Sequence, residues 1–150
     1  MLKLYYSDNS AAYAPHMLLL DAGADFEAIR IDFKLKAQLS RQFLRINPKG
    51  RVPVLITTEG ILTETPALLL YISQTYPEKH LAPTNPFKLA QAQALNIYIA
   101  STVHVGHAHK HRGDRWSDDP TAKASMTSKV KMNMRSYAKF IEEHYLSRHS

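Results

Sequence analysis

Three prolines, Pro77, Pro83 and Pro86, fall within ten residues, and the hydrophobic pattern differs on their two sides. Proline lacks the N–H that helices and sheets use, and it biases the preceding residue toward extended backbone. Residues 77–86 therefore continue neither kind of element and read as a joint between two units. Before this stretch, short β-prone runs alternate with helical ones; after it, the period is helical throughout. The pattern predicts an α/β domain over 1–80, a linker over 81–86 and an all-α, partial domain over 87–150.

Within the first part, residues 3–6 are β-prone and run into the turn formers Ser7-Asp8-Asn9-Ser10. Residues 14–23 read as a helix that tolerates Pro15 in its first turn and stops at Gly23. Residues 26–33 alternate as a second strand, and 38–46 are weakly helical up to Asn47-Pro48-Lys49-Gly50. Residues 52–57 and 61–63 flank the turn Thr58-Glu59-Gly60 as a hairpin. Thr65 and Pro66 then suit an N-cap and first helical position, and the apolar run over 67–76 should be buried. The order βαβαββα predicts a small mixed sheet with helices on both faces.

Beyond the linker, Ala94, Ile97, Ser101, His104, Ala108 and His111 share one helical face at 3-4-3-4-3 spacing. Gly106 and Gly113 should weaken that helix and end it near Arg112. Asp119-Pro120 opens another helix, with the apolar stripe Met126, Val130, Met134, Tyr137, Ile141 and Tyr145. Two helices cannot bury both stripes alone, so further cover is expected from the first domain, a partner chain or additional sequence.

Several function classes are excluded by composition. With no cysteine in 150 residues, structural disulfides, thiolate metal sites and mechanisms using a protein thiol on this chain are all ruled out. No window approaches 18 consecutive apolar residues, so no membrane span is expected. The opening residues lack the basic region, apolar run and cleavage site of a secretory signal, which makes the cytoplasm the expected location. Residues 1–86 carry nine basic and eight acidic side chains, and 87–150 carry ten and five with six of the eight histidines. No nucleic-acid motif accompanies that excess, so it reads as a solvated helix surface and nucleic acid is not an expected partner.

Two short stretches carry binding chemistry. A proline opening a central strand removes a ladder hydrogen bond, so Val52-Pro53 is either an edge position or a cis peptide. In the cis form Val52 can offer its main-chain groups to an extended ligand. At Glu64-Thr65-Pro66, a helix N-terminus with a hydroxyl attracts carboxylates, and the adjacent carboxylate attracts an ammonium. The pair suits an α-amino acid end, where both charges sit on one carbon; the alternative is a plain cap beside a solvated Glu. His107 and His111 at i,i+4, with His104 one turn before, can grip a divalent metal. They lack an acidic or cysteine ligand in a fixed motif, so no metal is expected.

Taken together, Lys3-Leu4-Tyr5-Tyr6-Ser7, Ala14-Pro15-His16, Asn47-Pro48-Lys49-Gly50-Arg51-Val52-Pro53, Leu62-Thr63-Glu64-Thr65 and Leu81-Ala82-Pro83 resemble the bacterial glutathione S-transferases, most closely the beta class. The resemblance implies a thioredoxin-like N-terminal domain and the first helices of an all-helical C-terminal domain. It implies a glutathione-binding, usually dimeric enzyme that conjugates the glutathione thiol to a small electrophile, with glutathione as co-substrate. Pro53 would be the cis-proline, Val52 would pair main chain to main chain with the cysteinyl unit, and Glu64 and Thr65 would hold the γ-glutamyl end. Lys36 and Gln38 lie where such enzymes contact the glycyl carboxylate, and His104 resembles the histidine that the beta class points into its active site. Where that class has a cysteine and then a serine, this chain has Ala11 and Ala12, with Ser10 the nearest hydroxyl; Ser10, a backbone N–H at the start of the first helix and His104 are the candidates to stabilise the thiolate. Ser10 reads equally as a cap or turn residue. Family members also continue for several more helices, so part of the electrophile wall is expected to be missing. A non-catalytic glutathione-fold module is the alternative to an enzyme.

Overall fold

The computed structural model describes residues 1–147. They fall into two compact units, Met1–Ala90 and a second that begins at Gln91. The first contains β1 (Leu2–Tyr6), α1 (Tyr13–Asp21), β2 (Phe26–Arg30), α2 (Arg41–Ile46), β3 (Val54–Ile56), β4 (Ile61–Thr63) and α3 (Thr65–Thr75). The sheet order is β2-β1-β3-β4. β1 runs parallel to β2 and antiparallel to β3, which is antiparallel to β4. This is the mixed βαβαββα sheet expected from the alternation of patterns.

Strand periodicity divides the interior in two. Leu4 lies opposite Leu55, and both are fully buried on the face covered by α1 and α3, with Leu19, Ala22, Leu68 and Ile72. The next pair along, Tyr5 and Val54, points the other way and joins Ile31 and Phe43 of the loop and helix on the opposite face. Successive strand residues point to opposite faces, so a single dipeptide in each of β1 and β3 feeds both cores. Each fully buried leucine contributes about 1.5–3 kcal/mol relative to an exposed one.

Local boundaries depart from expectation at three places. The strand expected over 26–33 ends at Arg30, because Ile31 N–H still bonds Tyr6 O but Asp32 Oδ1 then accepts from Lys34 N and Leu35 N in a turn. The segment 38–46 splits into a 3₁₀ turn, Ala37–Leu39, and α2, because extended Ser40 caps α2 by accepting from Phe43 N. Thr65 is the first residue of α3 rather than its N-cap; that position belongs to Glu64, which has φ +73° and makes no side-chain cap bond.

α4 (Pro86–Tyr98) begins in the first unit and continues into the second, where it passes through a π-helical turn, Ile99–Val103, into α5 (His104–Ala108), and α6 (Pro120–Ile141) follows. Asp119 caps α6 through Thr121 N and Ala122 N, as its sequence position suggests. The stripe Met126, Val130, Met134, Tyr137, Ile141 and Tyr145 is the shielded side of that helix. Of the stripe expected before it only Ala108 is buried; Ala94, Ile97, Ser101, His104 and His111 are exposed, whereas Leu95, Tyr98, Thr102 and Val105 are partly covered. The larger apolar side chains decide the buried side, and the π turn shifts the register that a uniform 3.6 period assumes. Gly106 does more than weaken a helix. A Cβ there would sit 2.8 Å from Tyr137 Cε2, and the Tyr137 ring also packs edge-on against Tyr98 at 6.3 Å.

Gly106→Ala should lower the thermal midpoint, since the ring contact opposes the helix-propensity gain of up to about 1 kcal/mol. In a Tyr137→Ala background the same change should be neutral or stabilising; equal effects in both backgrounds would show that the close approach carries no energy.

Candidate functional site

The strand directions bring four connecting segments to one end of the sheet. β1 and β2 finish there at Tyr6 and Arg30, β3 begins there at Val54, and β4 finishes there at Thr63, opposite Val54. The segments that follow or precede them, residues 7–12, 31–40, 47–53 and 64–65, therefore meet at this end. They contain every expected site residue except His104.

The Val52-Pro53 peptide is cis, and Pro53 is buried while Val52 is half-buried. Val52 precedes β3, and among the described residues its N–H and C=O have no backbone hydrogen-bond partner. The approach to Val52 is closed by Asn47, which is almost fully buried. Its Nδ2 donates to Arg51 O at 2.7 Å, and its Oδ1 accepts from Lys49 N at 3.2 Å. Both ends of the 47–51 turn are thereby held by one amide, a role that nothing in the local sequence signals because its partners are main-chain groups.

Glu64 follows β4 with φ +73°, a region that non-glycine residues rarely occupy and that clusters at functional sites. Its carboxylate is largely exposed and is bonded by Lys49 Nζ, which also donates to Thr63 Oγ1 at 2.8 Å. Thr65 Oγ1 donates to Ala11 O at 3.4 Å, tying the start of α3 to the segment before α1. Pro66 has no N–H, and Leu68 N returns to Glu64 O as the first helical bond. An anionic group and the N-terminal end of an 11-residue helix thus stand side by side.

Ser10 is engaged within its own turn. Its hydroxyl donates to Ser7 O at 2.6 Å and accepts from Ala12 N at 3.3 Å. α1 itself starts at Tyr13 with no side-chain cap, since Ala12 stands at the N-cap position. The turn is anchored across the sheet by Arg30, which bonds Asp8 Oδ2 through Nε at 2.8 Å and Nη2 at 2.7 Å and reaches Asp32 at 3.8 Å. The Asp8 hydrogen bond and charge, with Asp32 behind them, raise the Arg30 pKa.

Lys36 is exposed and has φ +53° at the start of the 3₁₀ turn, so its ammonium is available to an anion. Gln38 follows in the turn with its Oε1 buried and without a partner among the described residues. That atom is an acceptor, so a carboxylate contact would need the Nε2 of the same amide. His104 lies in the second unit, exposed, directly after the π turn. Among the described residues no three or more His, Cys, Asp or Glu side chains cluster as a metal site. His109 instead packs its ring on Trp116 at 4.3 Å, and His144 stacks on Phe140.

A family model for the N-terminal domain of glutathione S-transferases matches residues 2–74. A glutathione transferase homologue from Sulfitobacter, solved with bound glutathione, is 39% identical and superposes with a TM-score of 0.93 over 97% of this chain and 71% of its own. A glutathione S-transferase of Escherichia coli O157:H7 is 30% identical over 86% of this chain and 66% of its own length. A maleylacetoacetate isomerase of Pseudomonas aeruginosa is 28% identical over 71% of this chain and 52% of its own. The chain therefore spans only about half to two thirds of the length of these two curated relatives.

Asn47→Ala leaves Arg51 C=O and Lys49 N–H without their bracing partner. It should cost about 1–3 kcal/mol of stability, read from the urea midpoint; an unchanged midpoint would mean that the turn holds itself.

Proposed function

This chain belongs to the glutathione S-transferase family, and from that premise we propose that it binds reduced glutathione at the end of the sheet described above and conjugates its thiol to a small electrophile. The observation that carries the reading is the juxtaposition of an unpaired Val52 main chain, next to a cis proline, with Glu64 and Thr65 at the start of α3. The cysteinyl unit pairs with Val52 as an added strand would. Glu64 takes the γ-glutamyl ammonium, and Thr65 with the start of α3 takes the α-carboxylate. Lys36 and Gln38 receive the glycyl carboxylate in this arrangement. The glutathione-binding domain corresponds to residues 1–80, with 81–86 as linker and 87–150 as the helical part.

Chemistry requires the thiolate, and this chain supplies no cysteine of its own. A hydrogen-bond donor aimed at sulfur favours the ionised form. In this reading Ser10 turns its hydroxyl from Ser7 O to the sulfur, beside the uncapped start of α1. His104 is the second candidate for turnover. The reading without turnover, a glutathione-binding module, is favoured by one observation, that the Ser10 proton is already committed to Ser7 O at 2.6 Å. A cytoplasmic homodimer acting in detoxification completes the proposal. It is supported by the family and by the exposed Ile61 and Phe87, which association would cover.

Titration calorimetry should give saturable glutathione binding that Glu64→Ala weakens at least about tenfold, the cost of one charge-assisted hydrogen bond. No binding at millimolar glutathione would end this reading. With a generic aryl halide, Ser10→Ala should lower turnover about a hundredfold while leaving affinity nearly unchanged, as for loss of one anion-stabilising donor. His104→Gln in the same assay tests the second candidate, and a rate no higher than the uncatalysed one in the unsubstituted chain would favour the module.

A further inference from the structure

Lys49 has no role in the binding scheme above, yet its ammonium is the group bonded to the Glu64 carboxylate. It also donates to Thr63 Oγ1 at 2.8 Å, so two adjacent residues at the β4–α3 junction hold it in place. Its backbone belongs to the turn that Asn47 closes, which ends at Arg51 directly before Val52. The cation is thus fixed to both walls of the proposed site, the peptide-pairing segment and the charged helix start.

Glu64 makes no hydrogen bond to its own helix start. A carboxylate has two oxygens and about four acceptor positions, and Lys49 occupies Oε1. Oε2 stays open to a second cation. A lone carboxylate in this position would attract any amine. A carboxylate with a fixed ammonium beside it repels a bare amine in part, and favours a ligand that brings a negative charge along with its positive one. Two opposed ion pairs then lie side by side with each charge next to its opposite.

We infer that Lys49 is a specificity-determining residue: paired with Glu64, it selects ligands whose γ-glutamyl end is a zwitterion over otherwise identical ligands that lack the α-carboxylate. The inference rests on the reading that Glu64 receives the γ-glutamyl ammonium. An exposed ion pair of this kind is worth little to folding, so its removal leaves the fold in place and its effect is read in ligand discrimination.

The test compares glutathione with 4-aminobutanoyl-cysteinylglycine, which keeps the terminal ammonium and lacks only the α-carboxylate. Both are titrated into the unsubstituted chain, Lys49→Met and Lys49→Arg. Lys49→Met should weaken glutathione about tenfold, the equivalent of one charge-assisted contact, while the decarboxylated analogue changes less than about twofold or binds more tightly. Lys49→Arg should restore most of the preference. Equal weakening of both ligands would overturn the inference, since Lys49 would then act only by holding Glu64, and so would an unchanged preference in Lys49→Met. Failure of the unsubstituted chain to bind either ligand is a separate result, which removes the underlying site reading and this inference with it.

Discussion

Strand β1 is the element on which the rest of the molecule depends. It is the only strand in the first unit that pairs parallel on one edge and antiparallel on the other among the described residues, and its side chains enter both cores. Leu4 anchors the α1–α3 side and Tyr5 packs against Phe43 on the α2 side, ring edge to face at 5.8 Å. A slip of one residue in the β1–β3 register would exchange these faces, turning Leu4 toward the α2 side and Tyr5 toward the α1–α3 side, so the pairing is fixed by burial on both sides. The same register decides which connections meet. Because β3 and β4 run opposite to their neighbours, the turn before Val52 and the junction after Thr63 are brought to the end where β1 releases Ser7.

Charge completes what the sheet begins. At that end two exposed ion pairs tie segments distant in sequence, Asp8 with Arg30 and Lys49 with Glu64. Such exposed pairs contribute little to folding stability. Their effect is positional: one joins the turn after β1 to the end of β2, and the other joins the 47–51 turn to the start of α3. A neutral amide, Asn47, does the equivalent work inside the turn, where burial makes an unsatisfied group costly.

The parts of this arrangement that were legible in the sequence are those with unusual chemistry at a short range. Val52-Pro53 conflicts with an ordinary strand, and Glu64-Thr65-Pro66 combines an acid with helix-start residues, so each announced itself locally. The element order was equally legible because β1 is a β-prone run, α1 lies between Pro15 and Gly23, and α3 is an apolar run behind Thr65-Pro66. What stayed hidden depends on partners far along the chain. Nothing adjacent to Lys49 indicates that it meets Glu64 fifteen residues later, and nothing near Arg30 points back to Asp8. Glu64 rather than Thr65 occupies the N-cap position because backbone geometry with φ +73° sets that start, whereas the cap rule ranks side chains and favours the hydroxyl. Ala94, Ile97, Ser101 and His104 are exposed for a related reason: that face holds small and polar residues, while Leu95, Tyr98 and Val105 supply more area to bury.

In the proposed reading the chain supplies no cysteine, so the sulfur arrives with the ligand. The claim that this end of the sheet is the ligand site is tested most directly by amide chemical shifts of the nitrogen-15-labelled chain during a glutathione titration. The account predicts that the largest saturable shifts fall on Ala11, Val52, Thr65 and Ala67, with Leu2 and Ile61 at the far end of the sheet unmoved. Shifts concentrated instead on the histidine-rich segment 104–111, or none at saturating glutathione, would contradict it.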